Sequence, residues 1–186
     1  MARGFSLIEL IVVVGIFTVI SAIVLANHTQ FNSNVLLGSL AYDIGLSIRE
    51  AQVYGLSVKQ FSDSPDFQVG YGVHFQTPGQ YLLFVDKNKN KRYDIGDDGI
   101  QQTYTLGRGH SVKKFCGYTS SGSEECSNNA AALPFLDIVF IRPSPDASIL
   151  SASPTVYSIG AVTVRSASGR ERTITVQSTG QISISQ

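Results

Sequence analysis

Between residues 86 and 97, oxygen-bearing side chains recur at relative positions one, three, five, nine and twelve: Asp86, Asn88, Asn90, Asp94 and Asp97. A tight loop with this alternation turns every second side chain toward one hard cation. The backbone carbonyl of Arg92 falls at position seven, so the spacing is that of an EF-hand calcium loop. Calcium is the one candidate cofactor, with Asp86, Asn88, Asn90, Arg92, Asp94 and Asp97 as its ligands. Two departures count against it: Lys91 stands at position six, where the loop needs glycine, and Asp97 is one methylene shorter than the usual bidentate glutamate. Lys87, Lys89, Lys91 and Arg92 also balance Asp86, Asp94, Asp97 and Asp98, which leaves no net negative field. The competing reading is a solvated loop whose Asp and Asn residues make local turns.

A second constellation lies near the C-terminus, where Gly169-Arg170-Glu171-Arg172 places two arginines at alternate positions at the start of a predicted strand. That spacing projects Arg170 and Arg172 from one face and Glu171 from the other. Together with Arg165, Lys113 and Lys114 they form a candidate grip on a phosphate backbone, non-specific and strongly salt-dependent. The alternative is that these charges keep a hairpin turn soluble. A formal net charge of zero supplies no global field for a polyanion.

Nothing else in the chain is arranged for catalysis. His28, His74 and His110 lack metal-ligand spacing, and there is neither a GxSxG elbow nor a GxxxxGK phosphate loop. His74 falls in a predicted strand and reads as a core or surface residue. The chain is therefore expected not to be an enzyme. Cys116 and Cys126 are separated by a polar stretch too irregular for a redox helix and lack the paired spacing of a zinc site. They would close one loop as a disulfide in an oxidising compartment and stay as free thiols in a reducing one.

The element that decides the compartment is at the N-terminus. Residues 5–26 read FSLIELIVVVGIFTVISAIVLA, whose one formal charge is Glu9. As a helix this span is about 33 Å long, enough for the roughly 30 Å hydrocarbon core of a bilayer. A secretory signal would carry its small cleavage-site residue after the apolar core, whereas Gly4 precedes it. A carboxylate at Glu9 costs about 3 kcal/mol in lipid and calls for a partner. Arg3, the one charge before the span, favours the cytoplasmic side and puts everything after Ala26 outside. The cysteines then meet an oxidising compartment, where the disulfide is the expected state.

The run Gly4-Phe5-Ser6-Leu7-Ile8-Glu9-Leu10 resembles the leader of type IV pilins and type II secretion pseudopilins. The resemblance implies that a prepilin peptidase cuts between Gly4 and Phe5 and that the new N-terminal Phe5 is methylated. It further implies that Glu9, fifth in the mature chain, meets the free amine of a neighbouring subunit's Phe5 during assembly. A charge that is costly in lipid becomes paired in the filament.

After Ala26 the sequence turns polar, yet Leu37, Leu40, Ile44, Ile48 and Ala51 recur at steps of three and four. The helix is expected to continue as an amphipathic segment to about Tyr54, with Gly55 as its C-cap and Asp43, Arg49, Glu50 and Gln52 toward water. Short apolar runs at 72–75, 81–85, 101–106, 136–141, 156–165, 172–177 and 181–185 predict strands. Pro78-Gly79 and residues 166–169 serve as hairpin turns, and 119–129 as an exposed loop pinched by the cysteines. The expected division is a leader at 1–4, a transmembrane half-helix at 5–26, an amphipathic half at 27–55 and an extracytoplasmic head at 56–186. The fold class is α+β, a long N-terminal helix packed on an antiparallel sheet.

With the strands GYGVHF and YLLFVDKN and the late GRER, the whole is similar to the GspH/FimT minor pilins, some of which use a GRxR motif for DNA. The expectation is a structural minor subunit of a type IV pilus or type II secretion pseudopilus. It is inserted in the inner membrane and then assembled with other pilin or pseudopilin subunits in an extracytoplasmic filament. DNA is a candidate further partner, through Arg170 and Arg172.

Overall fold

The computed structural model describes residues 4–57, 68–107, 109–128 and 133–185, apart from the side chains of residues 26–34 and 77. A single uninterrupted helix, α1 (Leu7–Leu56), has 50 residues and is therefore about 75 Å long. Its first half, Leu7–Leu25, is apolar and wholly unburied. In its second half Leu37, Ile44, Ile48 and Ala51 are buried as the three-and-four spacing predicts, while Leu40 is only half-buried and Ala41 beside it is fully buried.

The head consists of two five-stranded antiparallel sheets. The first is ordered β3 (Gly99–Thr105), β2 (Gln80–Asp86), β1 (Gly70–Thr77), β6 (Leu136–Phe140) and β7 (Ala147–Leu150). The second is ordered β10 (Ile182–Ser185), β9 (Glu171–Gln177), β8 (Ile159–Arg165), β4 (Ser111–Tyr118) and β5 (Glu124–Cys126). Helix α1 contacts β1 and β6 of one sheet and β8, β9 and β10 of the other. The core accordingly draws Ile44 and Ile48 from the helix, Val73, Phe75, Leu83 and Ile138 from the first sheet, and Val162, Val164, Ile174 and Val176 from the second.

Two expectations about α1 need correction. Gly55 is not the C-cap: the helix runs through it to Leu56, and Ser57 ends it in an extended conformation. Glycine is needed at 55 because an added Cβ would lie 2.3 Å from the carbonyl oxygen of Phe140, and the Gly55 carbonyl accepts the Arg142 N–H at 3.1 Å. Gln52 does not face water. It is buried, and its Nε2 donates to the carbonyls of Pro145 and Gly180, each at 3.2 Å.

The predicted strands lie within or beside β1, β2, β3, β6, β8, β9 and β10, and the chain reverses at Pro78-Gly79 and at residues 166–170. Three strands carry no clear sequence signal. In β4 two lysines interrupt the alternation and the register shifts between Val112 and Lys114. β7 has four residues. β5 lies inside the stretch read as a loop, and is a strand because it pairs with β4.

Candidate functional site

The N-terminal site is built from a helix start. Ser6 is the N-cap, in extended conformation, and its carbonyl accepts the Leu10 N–H at 3.1 Å. Phe5 lies outside the helix and is 79% exposed, and Gly4 has open space around it. The bond between Gly4 and Phe5 is thus presented as accessible backbone just ahead of the apolar half-helix. Glu9 occupies the first turn, where the positive end of the helix dipole favours a carboxylate. Among the described residues no ion pair involves Glu9, so any partner in an apolar environment must come from elsewhere. Residues 1–3, with Arg3, lie outside the described residues.

The loop after β2 folds on its own hydrogen bonds. Asp86 is fully buried; its Oδ1 accepts the Asn90 N–H at 3.1 Å and its Oδ2 the Lys91 N–H at 2.8 Å. Asp98 closes the loop by accepting the N–H groups of Lys87 at 2.9 Å and Asp94 at 2.8 Å. Burial pushes the Asp86 carboxyl up to about 6 and raises that of Asp98. Asp94 is held low by the side-chain amides of Asn88 and Asn90.

This geometry departs from the expected calcium set in two ways. Asp97 is exposed, and Asp98, one residue later, is the carboxylate that turns inward. Asn88 and Asn90 also aim amide N–H groups at Asp94, so the centre of the loop holds donors where a cation needs oxygens. Among the described residues, Asp86, Asp94 and Asp98 do not bring three ligand atoms within 4.8 Å of one another. One element of the expectation does match: Lys91 takes φ of +66°, the left-handed geometry that glycine usually supplies at position six.

The loop is docked on the sheet by residues that spacing alone does not single out. His74 and Asp137 are both buried, with Nδ1 2.6 Å from Oδ1, and the other Asp137 oxygen accepts the Tyr93 N–H at 3.0 Å. Burial raises the Asp137 carboxyl. Tyr93 packs its ring against His74 and Phe84, and Arg92 reaches the Ser153 carbonyl at 3.0 Å. His74 is a core residue in a polar pair.

Cys116 and Cys126 form a disulfide between directly paired positions of β4 and β5. The arginine constellation is split. Arg172 pairs in register with Val164, on the face of the sheet that carries Ile174, whereas Arg165 pairs with Glu171 on the opposite face. Lys113 is committed to Glu171 at 2.7 Å, and Lys114 lies 3.9 Å from Glu124. The shared face expected of Arg165, Arg170, Arg172, Lys113 and Lys114 does not form, because alternation along β8 and β9 sends neighbouring charges to opposite sides.

Residues 1–25 match the family model described as the prokaryotic N-terminal methylation motif. The chain is also 31% identical over 96 residues to "Pilin-like protein PilA1" of Thermus thermophilus, a match covering 52% of this chain and 56% of that protein. It thus spans little more than half the length of the curated relative it matches. No solved structure matches the chain significantly.

Proposed function

We propose that this chain, a type IV pilin-like protein carrying the N-terminal methylation motif, is a structural filament subunit with no catalysis of its own. In this reading a prepilin peptidase cleaves the Gly4–Phe5 bond, Phe5 is methylated, and the first half of α1 holds the subunit in the inner membrane. The subunit then passes into a type IV pilus or type II secretion pseudopilus as a minor, GspH/FimT-like component. The observation that carries this reading is α1 itself: a predominantly apolar span of 19 residues with no part buried, continuous with a half whose inner stripe is locked into the head. So large an apolar surface is stable only in lipid or against other helices. Glu9 fits both stages, because the amine of a neighbouring Phe5 would neutralise it as lipid is left behind.

Mass spectrometry of the N-terminus tests the first step. Gly4→Leu should leave the leader attached and the chain in the membrane fraction, and a normally processed N-terminus in that variant would sink the proposal. Glu9→Ala should be processed normally yet be missing from sheared filaments.

DNA binding through Arg170 and Arg172 is the second reading. It draws less support from a tip whose charges lie on both faces of a hairpin. If Arg170→Glu with Arg172→Glu retards DNA on a gel as well as the unaltered protein, that reading is removed. Calcium at the Asp86 loop is a further proposal, with Asp98 in place of Asp97. It would require Asn88 and Asn90 to turn their carbonyl oxygens inward. An unchanged melting temperature between calcium and chelator would dismiss it.

A further inference from the structure

We infer that the arginine-bearing β8–β9 turn is a contact surface for anionic phospholipid headgroups, which it engages while the subunit waits in the membrane. The inference rests on the proposed membrane insertion of residues 5–26.

Its basis is where the fold puts this turn. Gln52 of α1 bonds to Gly180, beyond the end of β9, while Gly45 sits against Ile184, which pairs with Ile174 in the middle of β9. β9 therefore starts nearer the membrane end of α1 than it finishes. Glu171 lies three residues before Ile174, about 10 Å along the strand. At 1.5 Å per helical residue this is the height of Gly38, about 20 Å from Leu25, where the apolar span ends. The turn at 166–170 projects further toward that span, and the headgroup layer extends roughly 5–7 Å outward from the hydrocarbon. What separates them is comparable to the Debye length of about 8–10 Å.

The chemistry at the tip suits a plane of phosphates. Arg165 and Arg170 are exposed and Arg172 is half-buried. The Arg165 guanidinium folds over the turn, since a Cβ added at Gly169 would lie 3.5 Å from its Nη2. Glu171, the one carboxylate at the tip, is taken up by Lys113. Cations distributed over both faces of a hairpin grip a single nucleic-acid strand poorly. A headgroup layer surrounds the tip and can meet both faces at once.

The test uses the full mature chain with Ala167→Cys labelled by a fluorophore, the native cysteines being paired. It is reconstituted into phosphatidylcholine vesicles with or without phosphatidylglycerol, each carrying a headgroup-located quencher lipid. Quenching should be several-fold stronger with phosphatidylglycerol, and should be lost in high salt and on adding Arg165→Glu and Arg170→Glu. Equal quenching in both vesicles, or quenching indifferent to the charge reversal, overturns the inference. So does lipid-blind quenching combined with DNA retardation that the same reversal abolishes, which would make the tip a DNA surface. Failure of the chain to float with vesicles sinks the membrane reading as well, whereas flotation with lipid-blind quenching sinks the headgroup contact alone.

Discussion

At the scale of single residues, the head is held by polar groups whose partners are far away in sequence. Gln52 is the clearest case, because its amide satisfies two carbonyls that no other described group is seen to serve. Gln52→Ala should cost about 2 kcal/mol, chiefly the penalty of orphaning the buried Gly180 carbonyl, as measured by urea unfolding. The side chain looks like a water-facing helix residue because the acceptors are 93 and 128 positions away. Asp137 is hidden for the same reason, as nothing near it announces His74 or Tyr93. The oxygen pattern of the Asp86 loop is legible, but which carboxylate closes the loop depends on the turn, and Asp98 takes the place that spacing gives to Asp97. Burial pushes the Asp86 carboxyl up to about 6, above its unfolded value. Folding therefore takes up a proton between about pH 4 and 6, and this contribution is full below the unfolded pKa and lost as pH rises through the folded one. Calcium-free unfolding curves should show stability falling across that window by up to about 3 kcal/mol, with the slope reduced in Asp86→Asn.

At the scale of elements, close approach explains what propensity misreads. On helix propensity alone, Gly55→Ala gains about 1 kcal/mol. With the Phe140 carbonyl 2.3 Å from the added Cβ, the expected result is instead a loss of about 2 kcal/mol, so the direction of the shift in melting temperature decides between the two causes. A glycine near the end of a helical pattern reads as a cap unless the strand packed against it is known. Replacing both cysteines by alanine should cost about 2–3 kcal/mol, from the loop entropy of a separation of 10 residues. The buried stripe of α1 and the hairpin turns are legible because they obey local rules. β6, buried along its whole length, lacks the alternation of a half-exposed strand and is legible instead as a short, mainly apolar run, a signal that β4, β5 and β7 do not carry. The Asp86 loop and Phe135 contribute to covering that sheet's outer face, where His74 and Phe84 are buried.

At the scale of the molecule, the long helix, its apolar half and the α+β head are readable from the sequence, because length and composition alone constrain a membrane-compatible span. The division of the head into two sheets is not, since it depends on which strands pair across long separations. Because Leu7–Leu25 contributes nothing to the core, a chain starting at residue 29 should keep the head's unfolding free energy within about 0.5 kcal/mol, as checked by calorimetry. The alignment of β9 alongside α1 has a mechanical side. A pull along the helix axis acts as shear on the packed seam between helix and sheets, and within the β8–β9–β10 sheet the ladder hydrogen bonds lie across the direction of pull. Neighbouring bonds then resist together, whereas a pull at right angles would open them one at a time. The head is built to be towed by its stem.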